Sequence, residues 1–251
     1  MDGAARVSRG DGTVPVDVCV NEALDLAKTI VQREAQALSH VSDTLEHSSE
    51  AQAQFRRALQ LALECTSHVP EHFGGKMIVV GVGKSGIIAR KIASMLLSLG
   101  TQAVFLHPAD CLHGDLGMVC PGQDVVLGLS YSGSTSEMLD FLGLDVVQRC
   151  RRIVMTGHGD SPIVRLADAW LDCSTAPTPA AESIGGVAAP GNAEAYPAIP
   201  APTSSTTVML AMGDALAIAL TRAKGIEKAT FVRNHPGGSL GRAFEQESSV
   251  A

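Results

Sequence analysis

Aromatic residues make up only 4% of the 251 residues, so the interior must be filled by aliphatic side chains and alanine. No two of the six cysteines (Cys19, Cys65, Cys111, Cys120, Cys150 and Cys173) form a C-x-x-C pair, and no histidine spacing completes a zinc site. They read as reduced, mostly buried thiols, which suits a cytoplasmic protein, and no metal is expected. Lysine and arginine total 19 against 26 acidic residues, a net charge of −7, and no basic stripe stands out. Nucleic acid is therefore not an expected partner. No apolar run reads as long enough for a membrane span, and the N-terminus shows no apolar core of a signal peptide. No membrane partner is expected. The sequence contains no internal repeat.

Alternating helical and strand patterns dominate what is present. Continuous apolar runs predict strands at Met77–Val82, Ala103–Leu106, Asp124–Leu129, Arg152–Thr156 and Ala169–Asp172. Helices are predicted at Ser85–Leu99, Thr135–Gln148 and, briefly, Ser161–Ala167. Such alternation implies a parallel sheet covered on both faces. Two helices precede it. The first carries an apolar stripe at Val20, Leu24, Ala27, Val31, Leu38, Val41 and Leu45. The second opens with Ser49 and Gln52 as a candidate capping box. A long apolar stripe on an outlying helix needs a partner, so subunit contact is expected. Residues 1–18 read as a disordered tail and 19–251 as one domain. Within that domain, 174–202 is a Pro/Ala/Gly-rich flexible loop.

Two turns carry chemistry. Gly81-Val82-Gly83-Lys84-Ser85-Gly86 follows the first strand, and Ser130-Tyr131-Ser132-Gly133-Ser134-Thr135 follows the third. Helix N-termini after strands present free N–H groups that suit an anion. The second turn adds hydroxyls and the first a lysine, which together describe a pocket for a small phosphorylated ligand. The first turn satisfies G-x-G-x-x-G, but a dinucleotide site wants an acidic residue closing the second strand, where His107 and Pro108 stand. A P-loop needs a glycine where Ile78 stands. A nicotinamide dehydrogenase is accordingly disfavoured.

Further blocks extend the pattern: His107-Pro108 with His113-Gly114-Asp115-Leu116-Gly117-Met118, Ser-Tyr-Ser-Gly-Ser-Thr-Ser-Glu137, Ala201-Pro202-Thr203-Ser204-Ser205-Thr206, Met212-Gly213-Asp214-Ala215, and His235-Pro236-Gly237-Gly238. In order and spacing, from about Ala23 to Phe244, they resemble the sugar isomerase (SIS) domain of arabinose-5-phosphate isomerases. The resemblance implies a five-stranded parallel αβα sandwich, flavodoxin-like. It implies interconversion of D-ribulose 5-phosphate and D-arabinose 5-phosphate by a cofactor-free homotetramer with active sites at subunit interfaces. Many members carry a CBS pair after this domain; the sequence ends at Ala251 without one. Tyr131 stands where the family often has Asn, and Ser134 where it often has Glu.

Residue by residue, the resemblance assigns Ser85, Ser130, Ser132 and Thr135 to the substrate phosphate. It assigns Lys84, Glu137, Glu194 and His235 to four polar catalytic positions, with His113 as a further active-site histidine. The chemistry is consistent with that set. Aldose–ketose isomerisation moves a proton between C1 and C2 through an enediol, so it needs a base, an acid and positive charge beside the developing oxyanion. Glu194 suits the base, His235 ring opening and proton shuttling, and Lys84 the oxyanion. Each residue also has a plainer reading. Glu137, three residues after Ser134, could complete a capping box. Lys84 could be only a phosphate counter-charge, Ser130 a strand-end hydroxyl, and His113 and His235 turn residues. Two other functions stay open: a non-catalytic SIS module that senses a sugar phosphate, and an isomerase for another sugar phosphate such as 3-hexulose 6-phosphate.

Overall fold

The computed structural model describes residues 5–9, 12–67, 74–175, 194–199 and 201–237. Its centre is a five-stranded parallel sheet in the order β4-β3-β5-β6-β7. The strands are β3 (Met77–Gly81), β4 (Ala103–Leu106), β5 (Val125–Leu129), β6 (Arg151–Thr156) and β7 (Ala169–Asp172). All five fall within one residue of the sequence expectation. Strands β3 and β5 are buried along their whole length, as strands covered on both faces must be.

Alternation along β3 divides two cores. Met77 and Val79 face one cluster, Ile78 and Val80 the other. The first cluster is completed by α1 (Val16–His47), α2 (Ser49–Thr66), α3 (Gly83–Ser98) and α7 (Ser204–Ala223). The second is completed by α4 (Pro108–Cys111), α5 (Ser136–Gly143) and α6 (Asp145–Gln148). The result is a three-layer αβα sandwich. Each fully buried large aliphatic side chain contributes about 1.5–3 kcal/mol by removal from water, and Leu61, Ile78, Ile92, Leu127 and Ile153 are such residues.

Helix α7 is, among the described residues, the one helix long and apolar enough to span a membrane by length and composition, contrary to the expectation that no run reaches that length. Its apolarity has another cause here. Val208, Met209, Met212, Leu216 and Leu220 are buried in the core. Helices α7 and α3 run side by side in the same direction. Gly213 allows their close approach, since a Cβ there would collide with Ile92, and Lys91 pairs with Asp214 across the seam.

Several expectations change. The tail expected over 1–18 includes an antiparallel hairpin, β1 (Arg6–Arg9) with β2 (Gly12–Pro15), and α1 begins at Val16. The helix expected over Thr135–Gln148 is split into α5 and α6. Gly143 is a poor helix former and Leu144 adopts an extended conformation, ψ 134°. The short helix expected over Ser161–Ala167 is a single 3-10 turn, Val164–Leu166. The cap of α2 is Ser48 rather than Ser49: its hydroxyl accepts from Ala51 N–H at 3.2 Å, while Gln52 donates to Glu46 O. Of the stripe on α1, only Val41 among the residues named is buried; Val20, Leu24, Val31 and Leu38 are exposed, Val31 by 70%. Most of the loop expected over 174–202 lies outside the described residues.

Candidate active site

Parallel pairing of β3 with β5, in the register Gly81↔Leu129, sets the two chemistry-bearing turns side by side where the strand order reverses. This is where open α/β sheets leave a crevice for ligands. The first turn is tight because Gly81 and Gly86 lack side chains: a Cβ on Gly86 would stand 2.8 Å from Gly81 O. In the second, Gly133 takes φ +65°, a conformation favouring glycine. Its N–H donates to Ser130 Oγ at 3.1 Å.

A cavity of about 310 Å³ opens beside these turns. Lys84 and Ser85 line it from the start of α3, and Tyr131 and Ser132 from the turn after β5. Glu194, Ser205 and Thr206 line it from the approach to α7. Residues 110 positions apart thus converge because α3 and α7 both begin here.

Glu194 is the most constrained of them, only 5% exposed. Its Oε2 accepts from Thr203 N at 2.7 Å, Thr203 Oγ1 at 3.0 Å and Ser205 N at 3.3 Å. Two of these, the N–H groups of Thr203 and Ser205, are backbone donors at the start of α7, so the carboxylate serves as that helix's cap. Oε1 takes part in none of these bonds. The segment is also held from α1: Arg33 donates to Ala195 O at 2.9 Å, and Thr207 donates to Glu34 at 2.9 Å. Sequence reasoning missed this clamp, because no local signal links residues more than 160 positions apart.

The remaining candidates lie elsewhere. Ser130 and Thr135 hydroxyls are 2.9 Å apart and engage each other, and Ser130 is buried. They brace the turn and do not line the cavity. Glu137 is exposed in the first turn of α5. Its own backbone N–H and the Ser136 hydroxyl hold its carboxyl below the usual range. The N-cap of α5 is Thr135, with no side-chain cap bond, so the Ser134–Glu137 capping box is not formed. His113 is exposed in the turn after α4, its N–H bonded to Asp110 O at 2.9 Å.

His235 closes α8 (Lys228–Asn234), with Nδ1 2.7 Å from Phe231 O and its ring stacked on Phe231 at 4.0 Å. Neighbouring Asn234 donates to Leu97 O and Ser98 O, the last carbonyls of α3. His235 therefore sits at the opposite end of α3 from Lys84, about 20 Å away at 1.5 Å per residue. Among the described residues, no group of three or more His, Cys, Asp or Glu is placed to hold a metal ion.

Tyr131 is a lining residue that sequence reasoning gave no role. Its hydroxyl is 2.8 Å from that of Thr175, and its ring packs edge-on to His158 at 5.7 Å. Burial pushes its phenol up, the bond with Thr175 opposes this, and the Glu194 carboxylate adds to the rise.

The SIS domain family profile matches residues 74–219. The chain is 46% identical over 168 residues to arabinose 5-phosphate isomerase KdsD of Pseudomonas aeruginosa, 67% of this chain and 46% of that protein. It is 40% identical over 200 residues to arabinose 5-phosphate isomerase GutQ of Escherichia coli O6:H1, 74% of this chain and 57% of that one. The chain spans about half the length of these curated relatives. A solved structure, E. coli CFT073 c3406 in complex with A5P, is 30% identical with a TM-score of 0.69, covering 86% of this chain and 98% of that one.

Proposed function

The chain belongs to the SIS domain family, and we propose that it is an aldose–ketose isomerase interconverting D-ribulose 5-phosphate and D-arabinose 5-phosphate through an enediol. The observation that carries this reading is the convergence of Glu194, Lys84 and the hydroxyl-bearing turns on one cavity. Its similarity to the KdsD and GutQ isomerases supports it.

The phosphate is held by the Ser85 and Ser132 hydroxyls with the N–H groups at the start of α3. That places the sugar carbons toward Glu194. With Oε2 fixed by three donors, Oε1 is the base that takes the proton from C2 of the aldose or C1 of the ketose. The same carboxyl returns the proton to the adjacent carbon. Lys84 stabilises the negative charge that develops on the enediolate oxygen. A preorganised carboxylate needs no rearrangement during the step, which is the advantage of caging it at a helix N-terminus.

His235 cannot reach this cavity within one chain. The reading therefore includes self-association, as a homotetramer in the cytoplasm, with His235 delivered to the cavity of a neighbouring copy. The exposed apolar face of α1 supports a subunit contact.

The cap geometry of Glu194 also favours a second reading, in which the carboxylate only closes α7 and the protein senses a sugar phosphate without converting it. One assay separates the two. Purified protein is incubated with D-ribulose 5-phosphate in deuterated water and followed by NMR. The isomerase forms D-arabinose 5-phosphate with deuterium at C2. Binding without conversion or exchange would leave the sensor.

A further inference from the structure

Resting on the isomerase reading of the cavity, a further question is which group recognises the sugar between its phosphate and its reacting carbons. A sugar hydroxyl taken out of water without a partner is destabilising, so the wall of the cavity must supply one. Several lining groups are already engaged. Ser205 N–H is spent on Glu194 and Ser205 as a whole is only 3% exposed, and Thr206 Oγ1 donates to Thr203 O at 2.8 Å. Val82, Pro202 and Met209 offer no polar side chain.

Tyr131 differs. Its hydroxyl and that of Thr175 lie 2.8 Å apart. Two hydroxyls hold two protons; with one hydrogen bond between them and the Thr175 backbone N–H also acting on the phenol oxygen, the pair still retains one proton and lone-pair capacity. It can both donate to and accept from a ligand hydroxyl.

The pair is also rigid. Tyr131 O accepts from Thr156 Oγ1 at 3.0 Å and from Gly157 N at 2.9 Å. The ring lies against Gly157 so closely that a Cβ there would stand 2.5 and 2.6 Å from two ring carbons. His158 closes its other approach edge-on. A phenol fixed on three sides reads position, not merely polarity, so it can tell sugars that differ in one hydroxyl.

We propose that Tyr131, with its hydroxyl held by Thr175, is the specificity-determining residue that reads one hydroxyl of the sugar chain. The ring walls the cavity, and the paired hydroxyls bind the sugar. The phosphate end is untouched by this role.

The test compares kcat/KM for D-arabinose 5-phosphate and its 3-deoxy and 4-deoxy analogues, which keep the C1 and C2 oxygens that isomerisation requires, in the wild type and in Tyr131→Phe, Thr175→Val and Thr175→Ser. The wild type should disfavour one deoxy analogue by about 10-fold. Tyr131→Phe should take that analogue and the parent sugar about equally, because the group that told them apart is gone. Thr175→Val should blunt the preference and Thr175→Ser restore it. The affinity for inorganic phosphate, measured by calorimetry, should not move in any variant. A wild type without such preference, a Tyr131→Phe variant that keeps it, or a loss equal for all sugars and phosphate would overturn the proposal. If the wild type binds these sugars without converting them, the isomerase reading fails by itself, and the same comparison is read on dissociation constants. If the wild type binds none of them, both fail.

Discussion

The two ends of α3 contrast sharply. At its N-terminus Lys84 and Ser85 open onto a cavity that also holds a caged carboxylate, Glu194. At its C-terminus, a full helix length away, His235 stacks on Phe231 beside the last carbonyls. One end has the cavity and a buried carboxylate; the other has a stacked imidazole that does not line that cavity. A single chain thus brings Lys84, Ser85 and a caged carboxylate to one cavity, while under the proposed function the histidine that the family resemblance assigns to catalysis is supplied by another copy. Fold stability explains the first end: Glu194 would be placed there by the unmet donors of α7 whether or not it reacts. At the second end, the Phe231 carbonyl and ring hold His235 in place without giving it a partner from the cavity.

The largest effect expected is at the cavity end. Glu194→Gln keeps an oxygen to accept from Thr203 and Ser205, so the fold should persist, but it removes the base. Turnover should fall by roughly 100-fold or more, with loss of deuterium exchange at C2 and with phosphate affinity retained. Near-normal exchange in this variant would show that the carboxylate is a cap alone.

At the other end of α3, His235→Ala should lower turnover by about 100-fold without changing the secondary structure seen by circular dichroism. Unchanged turnover would make the Phe231 stack its whole role and dissolve the contrast between the ends. A smaller effect, about 10-fold on activity at low protein concentration, is expected from Val31→Glu. A charge on the exposed apolar face of α1 should separate the subunits, visible as a lower mass in sedimentation. An unchanged mass would place the subunit contact elsewhere.

The smallest effect belongs to the phosphate. Ser132→Ala should raise KM about five-fold with little change in kcat, since a contact to a non-reacting group supplies uniform binding. A fall in kcat at constant KM would move Ser132 from the phosphate to the reacting carbons.

The same contrast explains how much was legible in the sequence. The strands were plain, because β3 and β5 are continuous apolar runs bounded by glycine and polar turns. The pairing of the two turns followed from strand order, and Lys84, Ser85, Ser132 and Glu194 line one cavity. Ser130 and Thr135 do not, because hydroxyls five residues apart across a tight turn satisfy each other first. The Ser48 cap was missed because two adjacent serines carry equal local signals, and the choice lies in how α1 and α2 meet. The hairpin at Arg6–Pro15 was missed because its strands are four residues each and carry no apolar alternation. The position of His235 depends on how α8 packs at the C-terminal end of α3, a contact between residues 137 apart. No spacing rule encodes that.

The claim that a cavity in one copy is completed by a histidine from another is tested most directly by mixing two inactive variants. Glu194→Gln and His235→Ala proteins would be unfolded together in equal amounts, refolded together, and assayed for conversion of D-ribulose 5-phosphate. In random mixed assemblies, about a quarter of the sites would pair an intact Glu194 with an intact His235 from a different chain. The account predicts recovery toward about a quarter of wild-type activity, where each variant refolded alone shows almost none. Mixed assemblies that stay as inactive as the separate variants would contradict it.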